Sequence, residues 1–326
     1  MRKVNSSQVI EKMNRYGRES IPFMVLVDYK LQHPMLFKLD DIDPSELLFD
    51  INGNRNFELP ELPPVPLEFK TVPPPFKQYR EAFEQIMAQL NYGNSYLLNL
   101  TFPTRIESNY SLKDIFYRSS AKYKVLYKNQ FVVFSPEIFV QIRNAEIFSY
   151  PMKGTINAGI SDSENLILAN KKEIAEHSTI VDLIRNDLNM VSKNVEVTKF
   201  RYIDRIKAHD KEILQVSSEI KGVLPADYKE HLGDILFKLL PAGSICGAPK
   251  KKTLELIEQT ETYERGYYTG IVGLFDGENL DTGVMIRFIE QGAKGLVYKS
   301  GGGITVNSKL EDEYQELIDK VYVPVV

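Results

Sequence analysis

No tryptophan occurs among the 326 residues, and cysteine occurs once, as Cys246. A single thiol excludes an intrachain disulfide, and with only four scattered histidines it also excludes a Cys/His zinc site. A reducing compartment is expected, and with it a cytoplasmic location. The N-terminus MRKVNSSQVIEKMNRYGRES lacks the apolar segment of a signal peptide, and no apolar run of membrane-spanning length appears anywhere. No membrane partner is therefore expected. Excess charge of one sign is missing too: 40 basic against 44 acidic residues leave a net charge of -4. That balance gives no electrostatic reason for a nucleic-acid partner.

What is present is a chain long enough for one large domain or two ordinary ones, 43% apolar and able to bury a substantial core. Seven prolines fall within residues 60–75, where lost backbone donors and fixed φ argue for an extended connector. The chain is read as a short N-terminal segment with this connector, residues 1–75, packed on a main domain, 76–326. Phe83, Ile86, Met87 and Leu90 recur at helical spacing, and Gly93 stops the run. Beyond it YLLNLTF, KVLYKNQFVVFS and IFVQIRNAEIFSY read as antiparallel strands. A long helix is expected over 163–187 and another over 249–259, then strands in GYYTGIVGLF, GVMIRFIE and GLVYKS before a last helix. Strands and helices are segregated rather than alternating, so the fold class is α+β.

Five features carry candidate chemistry. Glu173 and Glu176 are three apart and share one helix face, and like charges side by side cost energy unless a cation sits between them. Alone, the pair reads as a solvated acidic face before it reads as a metal edge. In SGGGITVNSKLEDEYQELIDK, three glycines precede a helix whose start near Ser308 is marked by Ser308 and Glu311 as a capping box. On that helix Glu313, Glu316 and Lys320 form one charged stripe, and the glycine backbone admits an anion closely. Two helices thus each offer a carboxylate pair, the ingredients of a hard-cation site for magnesium.

PAGSICGAPKKKTLELIE does not match the phosphate-loop spacing, and Pro249 suits a first helical turn. PMKGT places Lys153 between a strand and a glycine turn; acting as a nucleophile would require it to be partly neutral. Arg287 interrupts the apolar VMIRFIE, and its guanidinium fork matches either a structural partner or a substrate carboxylate, which Tyr268 could also reach.

In order, SPEIF, PMKGT, KEIAEH with DLIRNDL, PAGSICGAPK, RGYYTGIVG, DTGVMIRF and GGGITVNSKLEDEYQE closely resemble the chorismate-binding family. That family includes anthranilate synthase component I, aminodeoxychorismate synthase component I, isochorismate synthase and salicylate synthase. The resemblance implies its fold, two antiparallel β-sheets in a sandwich surrounded by helices. It implies Mg2+ at Glu176 and Glu316, with Glu173 and Glu313 supporting, holding the ring carboxylate of chorismate. It implies Arg287 and Tyr268 on the enolpyruvyl carboxylate, helped by Lys320 and the amides around Gly302 and Gly303, and Gly154, Thr155 and Ser244 lining the ring pocket.

Lysine in the P-x-x-G-T motif matches the members that aminate C4 of the ring, where anthranilate synthases have alanine. The resemblance then implies a covalent Lys153 adduct, with Glu137 as general acid and ammonia from a glutamine amidotransferase partner. The expected product is 4-amino-4-deoxychorismate, for p-aminobenzoate and folate synthesis. Gln215 falls where the family has histidine, which is consistent with a product that keeps its enolpyruvyl group. Anthranilate synthesis is the alternative; isochorismate synthesis and a silent chorismate-binding subunit stand behind it.

Overall fold

Strands such as FMVLV, YKVLY, FVVFS and IVGLF are continuous apolar runs rather than alternating ones, because every residue in them is buried. In the computed structural model, which describes residues 5–169, 171–208 and 211–325, these strands fall into two compact units, each built on its own antiparallel sheet.

The first unit takes in residues 1–40, 137–244 and 271–284. Its sheet runs, from one edge, Met152–Asn157, Lys211–Val223, Glu146–Ser149, Ile138–Arg143, Leu280–Val284, Ile271–Phe275, Phe23–Val27 and Met35–Lys38. Strand Lys193–Ala208 pairs with Lys211–Val223 off that path. The helix Lys171–Asn189 packs on these last two strands and on Met152–Asn157. The helix expected over 163–187 is covered by Ser163–Ala169 and Lys171–Asn189; Asn170 between them lies outside the described residues.

The second unit takes in residues 41–136, 245–270 and 285–326. Its sheet runs Gly247–Ala248, Leu97–Ser108, Gly295–Ile304, Phe288–Gly292, Phe131–Ser135, Tyr123–Tyr127, Leu47–Ile51 and Asn54–Arg55, with Phe69–Val72 on Leu97–Ser108. Its core gathers Leu48, Ile106, Phe116, Leu126, Val132, Phe134, Ile289 and Tyr298. The helix Phe76–Asn91 buries Tyr79, Phe83, Ile86 and Leu90, the stripe its spacing predicts.

In each sheet a late hairpin joins two earlier pieces. Ile271–Phe275 with Leu280–Val284 lies between Phe23–Val27 and Ile138–Arg143; Phe288–Gly292 with Gly295–Ile304 lies between Phe131–Ser135 and Leu97–Ser108. The first 75 residues supply strands to both sheets. The fold is α+β with two antiparallel sheets, as the segregation of elements implies. Among the described residues no helix is long and apolar enough to cross a membrane.

Candidate active site

In the first unit the edge strand Met152–Asn157 carries Lys153, and the helix Lys171–Asn189 carries Glu173 and Glu176 one turn apart. Lys153 Nζ lies 3.0 Å from Glu176 Oε2, with the carboxylate 14% and the lysine 30% exposed, so the amine is held at the acidic pair rather than in solvent. Gly154, at φ +84°, presses flat against the same helix: a Cβ there would stand 3.1 Å from Glu173 Oε2. Thr155 is exposed, and its register partner is the buried Gln215. At the start of strand Ile138–Arg143, half-buried Glu137 accepts a hydrogen bond from Ser244 Oγ at 2.9 Å. The two residues were expected in separate roles; the fold makes them a pair.

His177, unmarked in the sequence reading, is fully buried beside Glu176 and shares a 2.7 Å hydrogen bond with Ser218 Oγ. Burial, then the charges of Arg201 and Lys153, push its pKa down to about 4, so the ring is neutral near pH 7. No sequence signal marks this pair beyond a histidine on a helix and a serine on a strand.

In the second unit Glu313 and Glu316 project from helix Leu310–Asp319 toward the glycine-rich strand Gly295–Ile304. A Cβ at Gly302 would come within 3.4 Å of Glu316 Oε1 and 3.5 Å of Glu313 Oε2. Gly303 follows it in the ladder, opposite Asn99. Lys320 Nζ is 2.6 Å from Glu316 Oε1 and donates to the Gly301 carbonyl at 2.8 Å. The capping box expected at Ser308 is not formed. Lys309 is the N-cap, without a side-chain cap bond, and Ser308 Oγ instead accepts from the Thr305 amide. The helix start is set by packing on its strand, not by local capping.

Arg287 and Tyr268 were expected as neighbours on strands. Neither lies in a strand: Tyr268 sits in the turn before Ile271–Phe275, and Arg287 at φ +51° occupies the bend between Leu280–Val284 and Phe288–Gly292. The apolar pattern VMIRFIE is continuous in sequence, but the chain leaves one sheet and joins the other at the arginine. Arg287 Nη1 donates to the Lys320 carbonyl at 2.5 Å, and its guanidinium stands 4.6 Å over the Tyr322 ring. Tyr298 Oη donates to the Tyr322 carbonyl at 3.2 Å, so residues 320–322 brace the arginine from one side. Tyr268 is buried, which raises its hydroxyl pKa far above the ordinary value and keeps it a neutral donor.

Behind the glycines lies a buried ion pair that sequence reading also missed. Arg265 meets Glu261 at 2.6 Å with both side chains at most 3% exposed. Glu261 accepts from the Thr101 amide and hydroxyl, and Arg265 donates to the Asn99 carbonyl, fixing the strand that faces Gly301 and Gly303.

The donor chemistry suits a hard divalent cation. Each unit offers two carboxylates with a glycine backbone against them, a cradle that a Cβ would fill. Among the described residues no three His, Cys, Asp or Glu side chains gather as a ligand set.

A profile described as chorismate binding enzyme matches residues 38–325, and the chain belongs to that family. The match begins well before residue 76, the expected start of the main domain. The chain is a chorismate-binding enzyme of the aminodeoxychorismate synthase and anthranilate synthase type. It is 51% identical over 316 residues to an uncharacterized PabA-like protein of Haemophilus influenzae, covering 97% of this chain and 96% of that one. It is 32% identical over 261 residues to aminodeoxychorismate synthase component 1 of Klebsiella aerogenes, covering 75% of this chain and 56% of that one. Among solved structures, MenF, the menaquinone-specific isochorismate synthase from Escherichia coli, aligns with a TM-score of 0.75 at 15% identity. That alignment covers 97% of this chain and 81% of that chain and shows the common fold.

Proposed function

We propose that the protein is the chorismate-aminating component of an aminodeoxychorismate synthase, converting chorismate and ammonia to 4-amino-4-deoxychorismate through a covalent adduct on Lys153. The observation that carries this reading is the lysine itself, seated 3.0 Å from Glu176 at an acidic pair where a surface lysine would point to water. Its amine, once deprotonated, attacks C2 of the ring, both ring double bonds shift toward C4, and the C4 hydroxyl leaves as water with a proton from Glu137. Ammonia then attacks C4, both double bonds return to their original positions, the Lys153 amine is expelled from C2, and one ammonia proton is returned to Glu137. Ser244, donating to Glu137 Oε1, aims that carboxyl.

Glu176 and Glu316, with Glu173 and Glu313 in support, are the residues that would hold Mg2+, and the ion would supply charge neutralisation for the ring carboxylate. Arg287 is assigned to the enolpyruvyl carboxylate, with Tyr268 and Lys320 and the amides of Gly302 and Gly303 beside it, and Gly154 and Thr155 to the ring. Ammonia is assigned to a separate glutamine amidotransferase, and the route to p-aminobenzoate and folate in the cytoplasm.

Purified protein incubated with chorismate, MgCl2 and an ammonium salt is expected to form 4-amino-4-deoxychorismate without releasing pyruvate, read by chromatography with mass detection. Anthranilate with stoichiometric pyruvate would instead establish the C2-aminating alternative and sink this reading.

A further inference from the structure

Lys153 and Glu176 lie 3.0 Å apart on two different elements, and the sheet does not hold that spacing at the lysine. Strand Met152–Asn157 pairs through Met152 with Ser217 and next through Thr155 with Gln215, the register shifting between them. Lys153 and Gly154 occupy that irregularity, at the edge of the sheet.

Ser218 reaches both sides of the gap. Its N–H donates to the Pro151 carbonyl at 3.0 Å, two residues ahead of Lys153. Its hydroxyl meets His177 Nε2 at 2.7 Å, one residue beyond Glu176, and accepts from the Arg201 amide at 2.9 Å. Ser218 and His177 are both fully buried, so bulk water does not replace either partner if the other is lost. A hydrophobic pair of the same volume would pack the helix as well; a hydrogen bond adds direction, and direction is what a fixed distance needs.

We propose that Ser218 is a positioning residue that ties the Lys153 segment to the helix bearing Glu176, and so sets the distance between the amine and that carboxylate. Its kinetic consequence rests on the reading of Lys153 as nucleophile; the tie does not.

The test compares wild type with Ser218→Ala and His177→Gln, each checked by near-UV circular dichroism. Under limiting acetic anhydride, peptide mass spectrometry reads acetylation of Lys153 against Lys77, an 88% exposed reference in the other unit. Loss of the tie is expected to raise Lys153 acetylation about threefold or more, one hydrogen bond's worth of loosening, with Lys77 unchanged. In turnover, kcat is expected to fall about tenfold with KM for chorismate nearly unchanged, and the double variant to be no worse than either single one. Unchanged Lys153 acetylation in folded Ser218→Ala overturns the proposal. If wild type makes no aminated product, the reading of the reaction fails while acetylation still decides the tie. Should Ser218→Ala not fold, Ser218→Cys, similar in volume with a weak hydrogen-bonding group, carries the same comparison.

Discussion

At the scale of single residues, three side chains divide the work the reading assigns. In the proposed reaction Lys153 directs nitrogen to C4, so Lys153→Ala is expected to make no 4-amino-4-deoxychorismate above background. Wild type mixed with chorismate and MgCl2 but no ammonium should show the Lys153 peptide heavier by chorismate less one water. Absence of that mass under quenched conditions, with turnover intact, would rule out the adduct. Glu137→Gln removes the acid and is expected to lower kcat about 100-fold or more. Arg287, proposed to hold the enolpyruvyl carboxylate, has its fork braced by Tyr322. Arg287→Lys keeps the charge but not the fork, and KM should rise about tenfold or more with kcat less affected. Tyr322→Phe should be near neutral and Tyr322→Leu weaken binding about threefold, which steady-state kinetics separates. The carboxylate pairs, Lys153 and Arg287 were singled out in sequence only by their places among the seven ordered motifs; alone, the Glu173/Glu176 pair reads as a solvated face and the lysine as a surface residue. Ser218, His177 and Arg265 were not singled out, since their meaning comes from partners such as Pro151 and Asn99, far off in the chain.

At the scale of elements, glycines and one histidine set the tolerance. A Cβ at Gly301 would sit 2.4 Å from the Leu100 carbonyl oxygen, inside the ladder, so Gly301→Ala should destabilise by about 2 kcal/mol or more in urea titration. His177 carries the pH dependence. Its folded pKa, about 4, lies below the ordinary 6.5, so the unfolded chain binds more protons between those values. The stability it contributes is complete above about pH 6.5 and is lost as pH falls through 4, an upper bound of roughly 3 kcal/mol. His177→Gln should flatten that limb of a denaturation midpoint against pH curve. The helix Phe76–Asn91 was readable from periodicity, and strands such as Phe131–Ser135 from their β-branched and aromatic content, whereas Phe23–Val27 and Lys193–Ala208 were not read: KNVEVTKFRYIDRIKA is too charged to show a strand pattern and is placed by its partner Lys211–Val223. The same limit explains Ser308, whose local capping signature lost to packing.

At the scale of the whole molecule, neither unit is a continuous stretch: each is assembled from three segments of the chain. Phe23–Val27 is an interior strand, all five residues buried, paired on both edges. Removing residues 1–40 would bare the edge of Ile271–Phe275, and the shortened protein is expected to aggregate rather than fold, measured by light scattering and far-UV circular dichroism. A soluble, cooperatively folded product would show the first unit to be more self-sufficient than its pairing indicates. The late hairpins extend this to the order of synthesis. While a ribosome is still short of residue 271, each sheet exists as two pieces with no strand to join them, and the joining strands end only at Val284 and Ile304. Neither sheet can therefore close until those strands have emerged, and the open edges of the shorter nascent chain are expected to favour aggregation.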